Sequence, residues 1–161
     1  MKGSRLIPVA SFVLIVASPI VYSAAKNGGR QNALTPERAT AEYRTEAASL
    51  TLAPGWTWPS SPIPTRAPDG NEVRYEKGFG TQAADFYWFC SWASRALDPQ
   101  LPEAEGQQAL KNLPSIRTKY WYTKSLVAVS KPDFDQMMNE AVAGNLSDMR
   151  RFYELNCPQS P

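Results

Sequence analysis

The chain has no histidine, and only two cysteines, Cys90 and Cys157, among its 161 residues. The first absence removes the commonest general base at neutral pH, the His-dependent triads and every His-containing metal site. Two cysteines cannot build a structural zinc site without other strong ligands. No catalytic, cofactor-binding or metal-ligating set is therefore expected, and no cofactor. Net positive charge is scarce as well. Lys2 and Arg5 are two of the 17 basic residues and no acid precedes residue 26, so residues 26–161 carry 15 residues of each sign. A formally neutral domain lacks the positive footprint of generic nucleic-acid binding.

What is present begins with location. An uncharged run at residues 6–25, rich in Ile, Val, Leu, Phe and Ala, follows Lys2 and Arg5. At about 1.5 Å of helical rise per residue it reaches about 30 Å, the hydrocarbon thickness of a bilayer. Two readings follow. Residues 1–25 are an uncleaved membrane anchor, or a signal peptide cut after Ser23-Ala24-Ala25 and before Lys26. The length of the run favours the anchor, and Pro8 and Pro19 are tolerable in a membrane helix. Lys2 and Arg5 keep the amino end cytoplasmic in either case. The expected localisation is the cell membrane, single-pass with residues 26–161 extracytoplasmic; the alternative is secretion after cleavage near Ala25.

The remainder divides by composition. Residues 26–34 are a polar spacer. Residues 35–51 read as a peripheral helix opened by Thr35-Pro36-Glu37, with a thin apolar stripe of Tyr43, Ala47 and Leu50 and an Arg38–Glu42 pair at i,i+4. Residues 52–70 form an arm in which five prolines exclude regular helix and surround Trp56 and Trp58. Residues 71–157 form a helical core domain, ahead of a tail at 158–161. Within it, Val73 and Tyr75 permit one short strand. A helix at 82–97 places Phe86, Phe89, Cys90, Ala93 and Leu97 on one wide face and Trp88 and Trp92 on another, all expected to be buried. Further helices are expected at 103–113, from Pro132 to 143, and over Leu146, Met149, Phe152 and Tyr153. Residues 115–129 fit helix or extended chain. The expected fold is all-α or nearly so: an N-terminal transmembrane or signal helix, then a small disulfide-stapled bundle with a Pro-rich arm.

Several patterns suggest chemistry. Gly78-Phe79-Gly80-Thr81-Gln82-Ala83 fits the dinucleotide pattern G-x-G-x-x-A, but Glu72-Val73-Arg74-Tyr75-Glu76-Lys77 before it is too charged for the buried strand that the motif requires. Glycines easing a turn into a helix explain it better. Tyr120 and Lys124 have Tyr-x-x-x-Lys spacing without a nucleotide fold to give it meaning. Glu103/Glu105 and Asp133/Asp135 could serve as hydrolase carboxylates, yet both pairs stand at helix starts, where acids favour the dipole. Between Gly106 and Pro132 there are five bases and no acid. Arg117, Lys119 and Lys124 interleave there with Tyr120, Trp121 and Tyr122, a composition suited to anionic lipid or wall polymer. Trp56 and Trp58 either join that contact surface or pack as a strap.

The string Tyr87-Trp88-Phe89-Cys90-Ser91-Trp92 and the ending from Ala141 to Cys157 resemble an aromatic-x-Cys-x-Trp core and an Ala-x-x-Gly-Asn…Asn-Cys terminus. Both are similar to a group of uncharacterised small envelope proteins of actinobacteria. The resemblance implies an exported location and pairing of the two cysteines, and carries no activity with it. A Cys90–Cys157 disulfide is also what two cysteines in an oxidising compartment would form. The sequence thus points to a membrane-tethered, extracytoplasmic helical module. Its partners are the membrane through residues 6–25 and an anionic lipid, wall polymer or envelope protein through the surface above, with no nucleic acid. The alternative is a small envelope hydrolase using paired carboxylates.

Overall fold

The computed structural model describes residues 33–158, so the run at 6–25, most of the spacer and the end of the tail lie outside the described residues. Five α-helices appear: α1 (Pro36–Ala47), α2 (Phe79–Leu97), α3 (Glu103–Asn112), α4 (Lys131–Val142) and α5 (Ser147–Asn156). Among the described residues none is long and apolar enough to cross a membrane. The ambiguous segment resolves as three short helical pieces: 3-10 turns at Leu113–Thr118 and Ala128–Ser130, and a π-helical turn at Trp121–Ser125. The strand permitted at Val73 and Tyr75 is reduced to an isolated antiparallel bridge between Tyr75 and Leu34.

Helix α2 is the axis of the domain. It begins at Phe79, earlier than its apolar pattern suggests, and one apolar cluster lies on each side of it. On one side Phe86, Phe89, Trp121, Phe134 and Phe152 form an aromatic group with ring centroids 5.1–6.3 Å apart. Leu110, Leu113, Ile116, Met138 and Met149 from the later elements close around it. On the other side Ala39, Tyr43 and Ala47 of α1 pack with Ile63, Ala67, Val73, Tyr75 and Ala84. The helix expected to be peripheral therefore has its own core. Thr35 caps it by accepting from the Arg38 N–H at 3.4 Å, with Pro36 in the first turn.

The Pro-rich arm is a strap laid over α2. Proline has no N–H to donate, so the arm makes no regular ladder beyond an isolated Arg66–Glu72 bridge, and several of its carbonyls take their donors from elsewhere. Side chains supply them. Tyr87 donates to the Thr57 carbonyl at 2.8 Å, Trp92 Nε1 to that of Thr51 at 3.0 Å and Tyr75 to that of Pro64 at 2.6 Å. Buried Ser91 donates to the Trp88 carbonyl and accepts the Ala53 N–H at 3.2 Å. Trp58 stands edge-on to Tyr43 and beside Tyr87, while Trp56 stands edge-on to Tyr87. Trp88 is buried, whereas Trp92 is only half-buried because its indole N–H reaches out to the strap.

Cys90, fully buried on α2, is bonded to Cys157 just beyond α5. The bridge closes a loop with a sequence separation of 67 and holds the last helix on the aromatic group. Replacing both cysteines with alanine should cost about 4 kcal/mol on the loop-entropy argument. Urea unfolding of the oxidised protein and the double variant, with intact mass before and after reduction, checks this; equal midpoints would contradict it.

Candidate functional site

The glycine motif has a structural use that its pattern alone does not reveal. Gly78 adopts φ +88° immediately before α2, and its N–H donates to both carboxylate oxygens of Glu42 on α1, at 3.1 and 3.0 Å. The Gly80 N–H donates to the same group at 3.3 Å. Glu42 is thus not paired with Arg38; it occupies the positive end of the α2 dipole, the place a bound phosphate would take in a nucleotide site. A Cβ at Gly80 would lie 1.9 Å from the Ala39 carbonyl oxygen, and one at Gly78 would strike the Tyr120 ring. The glycines let α1 and Tyr120 close on the helix start.

One turn further along α2, Asp85 has no exposed surface. Its Oδ2 accepts the Trp121 N–H at 3.0 Å, while Oδ1 has no hydrogen-bond partner. Burial pushes this carboxyl up to about 6; the Trp121 N–H and Lys119 act against the rise, and Glu46 adds to it. Lys119 Nζ stands 3.7 Å from Glu46 Oε1, so Glu46, Asp85 and Lys119 form one charged group in the seam between α1 and α2. Beside it an open groove of about 410 Å³ is lined by Leu34, Arg38, Glu42, Thr45, Glu46 and Thr81. Both of its acids already serve the fold: Glu42 caps α2 and Glu46 faces Lys119.

The carboxylate pairs marked in the sequence do not converge. Glu105 is paired with Arg95, and Glu103 is exposed in the first turn of α3. Asp135 accepts from Arg117 Nε at 2.6 Å and from the Tyr122 hydroxyl at 2.7 Å. Desolvation raises its pKa, but these two bonds outweigh that and hold it below the usual carboxylate range. Asp133 is exposed at the start of α4.

The basic and aromatic residues are distributed in the same way. Arg117 is bound to Asp135 and Asn139, and Lys119 to Glu46. The Tyr120 hydroxyl donates to the Lys77 carbonyl at 3.2 Å. Trp121 is buried in the aromatic group, and the Tyr122 ring lies 5.0 Å beneath the Lys131 ammonium. Lys124 alone of the eight marked residues, Trp56 and Trp58 included, is exposed. What the residue types did not disclose is the surface beside it: Val127 is 53% and Val129 79% exposed. The signal was the apolar run Leu126-Val127-Ala128-Val129 between two lysines. No protein-family model matches the chain, and no curated protein or solved structure matches it.

Two outcomes follow from this geometry. Gly80→Ala should destabilise the fold by about 1–3 kcal/mol, since the new methyl meets backbone rather than a movable side chain; a denaturant midpoint equal to that of the parent would contradict the close approach. Asp85→Asn retains an acceptor for Trp121 and abolishes a titration. Because the folded-state pKa of Asp85 lies above its ordinary 3.8, its contribution to stability is complete below about pH 4 and is lost as pH rises to about 6. Urea titrations across that window should show the parent losing stability relative to Asp85→Asn as pH rises. Parallel profiles would contradict the assignment.

Proposed function

We propose that this chain is a membrane-tethered, extracytoplasmic helical module that acts by non-enzymatic contact with an envelope partner or an anionic surface. The observation that carries the reading is the employment of the acids. Glu42, Glu46, Asp85, Glu105 and Asp135 each close a helix end, an ion pair or a buried seam within the fold. Hydrolysis by paired carboxylates needs two such groups facing a common substrate, and Asp85, the one with the raised pKa, has no surface to offer.

Export is supported by the apolar run at 6–25 behind Lys2 and Arg5 and by the Cys90–Cys157 bridge, which suits an oxidising compartment. The likeness of the two cysteine-bearing strings to small actinobacterial envelope proteins points the same way. The fold supports a contact role: a strap and a disulfide rigidify a small domain, and the apolar residues that remain exposed gather in a short turn near α4 as well as standing singly elsewhere.

Protease added to intact spheroplasts should digest the domain while cytoplasmic markers survive. A domain protected until the membrane is permeabilised would overturn the topology.

A further inference from the structure

Surface hydrophobic residues scattered singly need no explanation, but contiguous ones do. Val127, Ala128 and Val129 are consecutive and all exposed. They are held rather than frayed. The Leu126 N–H donates to the Trp121 carbonyl at 2.7 Å, and the Ser130 N–H to that of Val127 at 3.0 Å, closing the 3-10 turn that runs into α4. Leu126 itself packs against the aromatic core. An ordered turn thus presents two valines to solvent.

Charge and position say what would cover them. Lys124 is exposed beside the turn, Lys131 closes its other side with its ammonium over the Tyr122 ring and donating to the Thr123 carbonyl at 3.4 Å, and no acid occurs between Gly106 and Pro132. Of the two acids in the first turns of α4, Asp135 is ion-paired with Arg117 and accepts from the Tyr122 hydroxyl, and Asp133 complements the start of the helix. The described chain begins near the start of α2, where the Tyr75 ring meets Phe79. Leu34 is bridged to Tyr75, and two residues on, the Lys77 carbonyl accepts from Tyr120, four residues before Lys124. Residues 26–33, which join the apolar run to Leu34, span at most about 30 Å when fully extended. Their own charges are Lys26 and Arg30, both positive.

We propose that the turn at residues 124–131 rests on the anionic lipid headgroups of the bilayer that holds the tether, with Val127 and Val129 in the interfacial layer and the exposed Lys124 on a lipid phosphate. Tethering supplies the high local concentration, and the turn orients the domain on the surface. The inference rests on the membrane tether proposed above and deepens it by naming the contact.

The test uses the full chain with vesicles of phosphatidylcholine alone and of phosphatidylcholine mixed with phosphatidylglycerol. Hydrogen exchange at the amides of Val127, Ala128 and Val129 should slow by about fivefold or more in the anionic vesicles, the scale set by one lysine near such a surface. Val129→Asp and Lys124→Glu, both at exposed positions, should abolish the slowing while thermal midpoints stay unchanged. Equal exchange in the two lipids overturns the inference, as does protection that survives Val129→Asp, or protection produced by an anionic wall polymer and not by lipid. Flotation separates the two proposals. A chain that floats with both vesicles but shows no protection at the turn defeats this inference and leaves the tether standing. One that floats only with anionic vesicles, through the turn, defeats the tether instead, and one that floats with neither defeats both.

Discussion

Helix α2 has an apolar cluster on each side, and its two ends are closed by side chains of opposite charge from opposite ends of the described chain. Glu42 of α1 accepts the N–H groups of Gly78 and Gly80 at the positive end, and Arg150 of α5 donates to the Leu97 carbonyl at 3.4 Å at the negative end. Unpaired helix-end groups are costly once buried, and the helix dipole makes these two signs the favourable ones. Burying α2 therefore requires both flanking helices at once. Its remaining polar groups then dictate the surroundings: Tyr87, Ser91 and Trp92 must meet the carbonyls and N–H of the strap, and Asp85 must meet the N–H of Trp121. The disulfide at Cys90 fixes α5 to this same helix.

The seam between the two apolar clusters is where this arrangement carries a cost. A carboxyl without exposed surface, having one unpartnered oxygen, is stable only if it holds its proton more tightly or is well paired. Asp85 does something of each. Its neighbours Glu46 and Lys119 come from opposite sides of the seam, so its protonation is sensitive to how closely α1 and the segment after Leu113–Thr118 approach α2.

Much of the fold was legible because periodicity and caps are local. Thr35-Pro36 marks α1, the spacing of Phe86, Phe89, Cys90, Ala93 and Leu97 marks the face of α2, and Pro132 marks α4. Prolines in the arm excluded regular helix without saying what the arm lies on. The uses of charged residues were not legible. Glu42 looks like the i,i+4 partner of Arg38, yet the backbone of α2, distant in sequence, takes it. Arg117, Lys119 and Trp121 look like a contact surface because residue type alone cannot distinguish a solvated cation from one paired across the fold, or an interfacial aromatic from a core one.

The division has a physical basis. Short-range terms — helix periodicity, capping, the missing proline N–H, hydrophobic length, cysteine count — depend only on neighbours along the chain, and they determined a helical domain with a Pro-rich arm, one possible disulfide and an apolar leading segment. Side-chain pairing depends on which helices approach and how closely. Only the tertiary structure decided that Gly80 admits α1 and Gly78 admits Tyr120, that Asp85 is sealed in a seam, and that Val127 and Val129 remain uncovered while Trp121, whose indole carries a polar N–H, is buried. Burial is settled by the packing of the whole chain, not by the hydrophobicity of one residue.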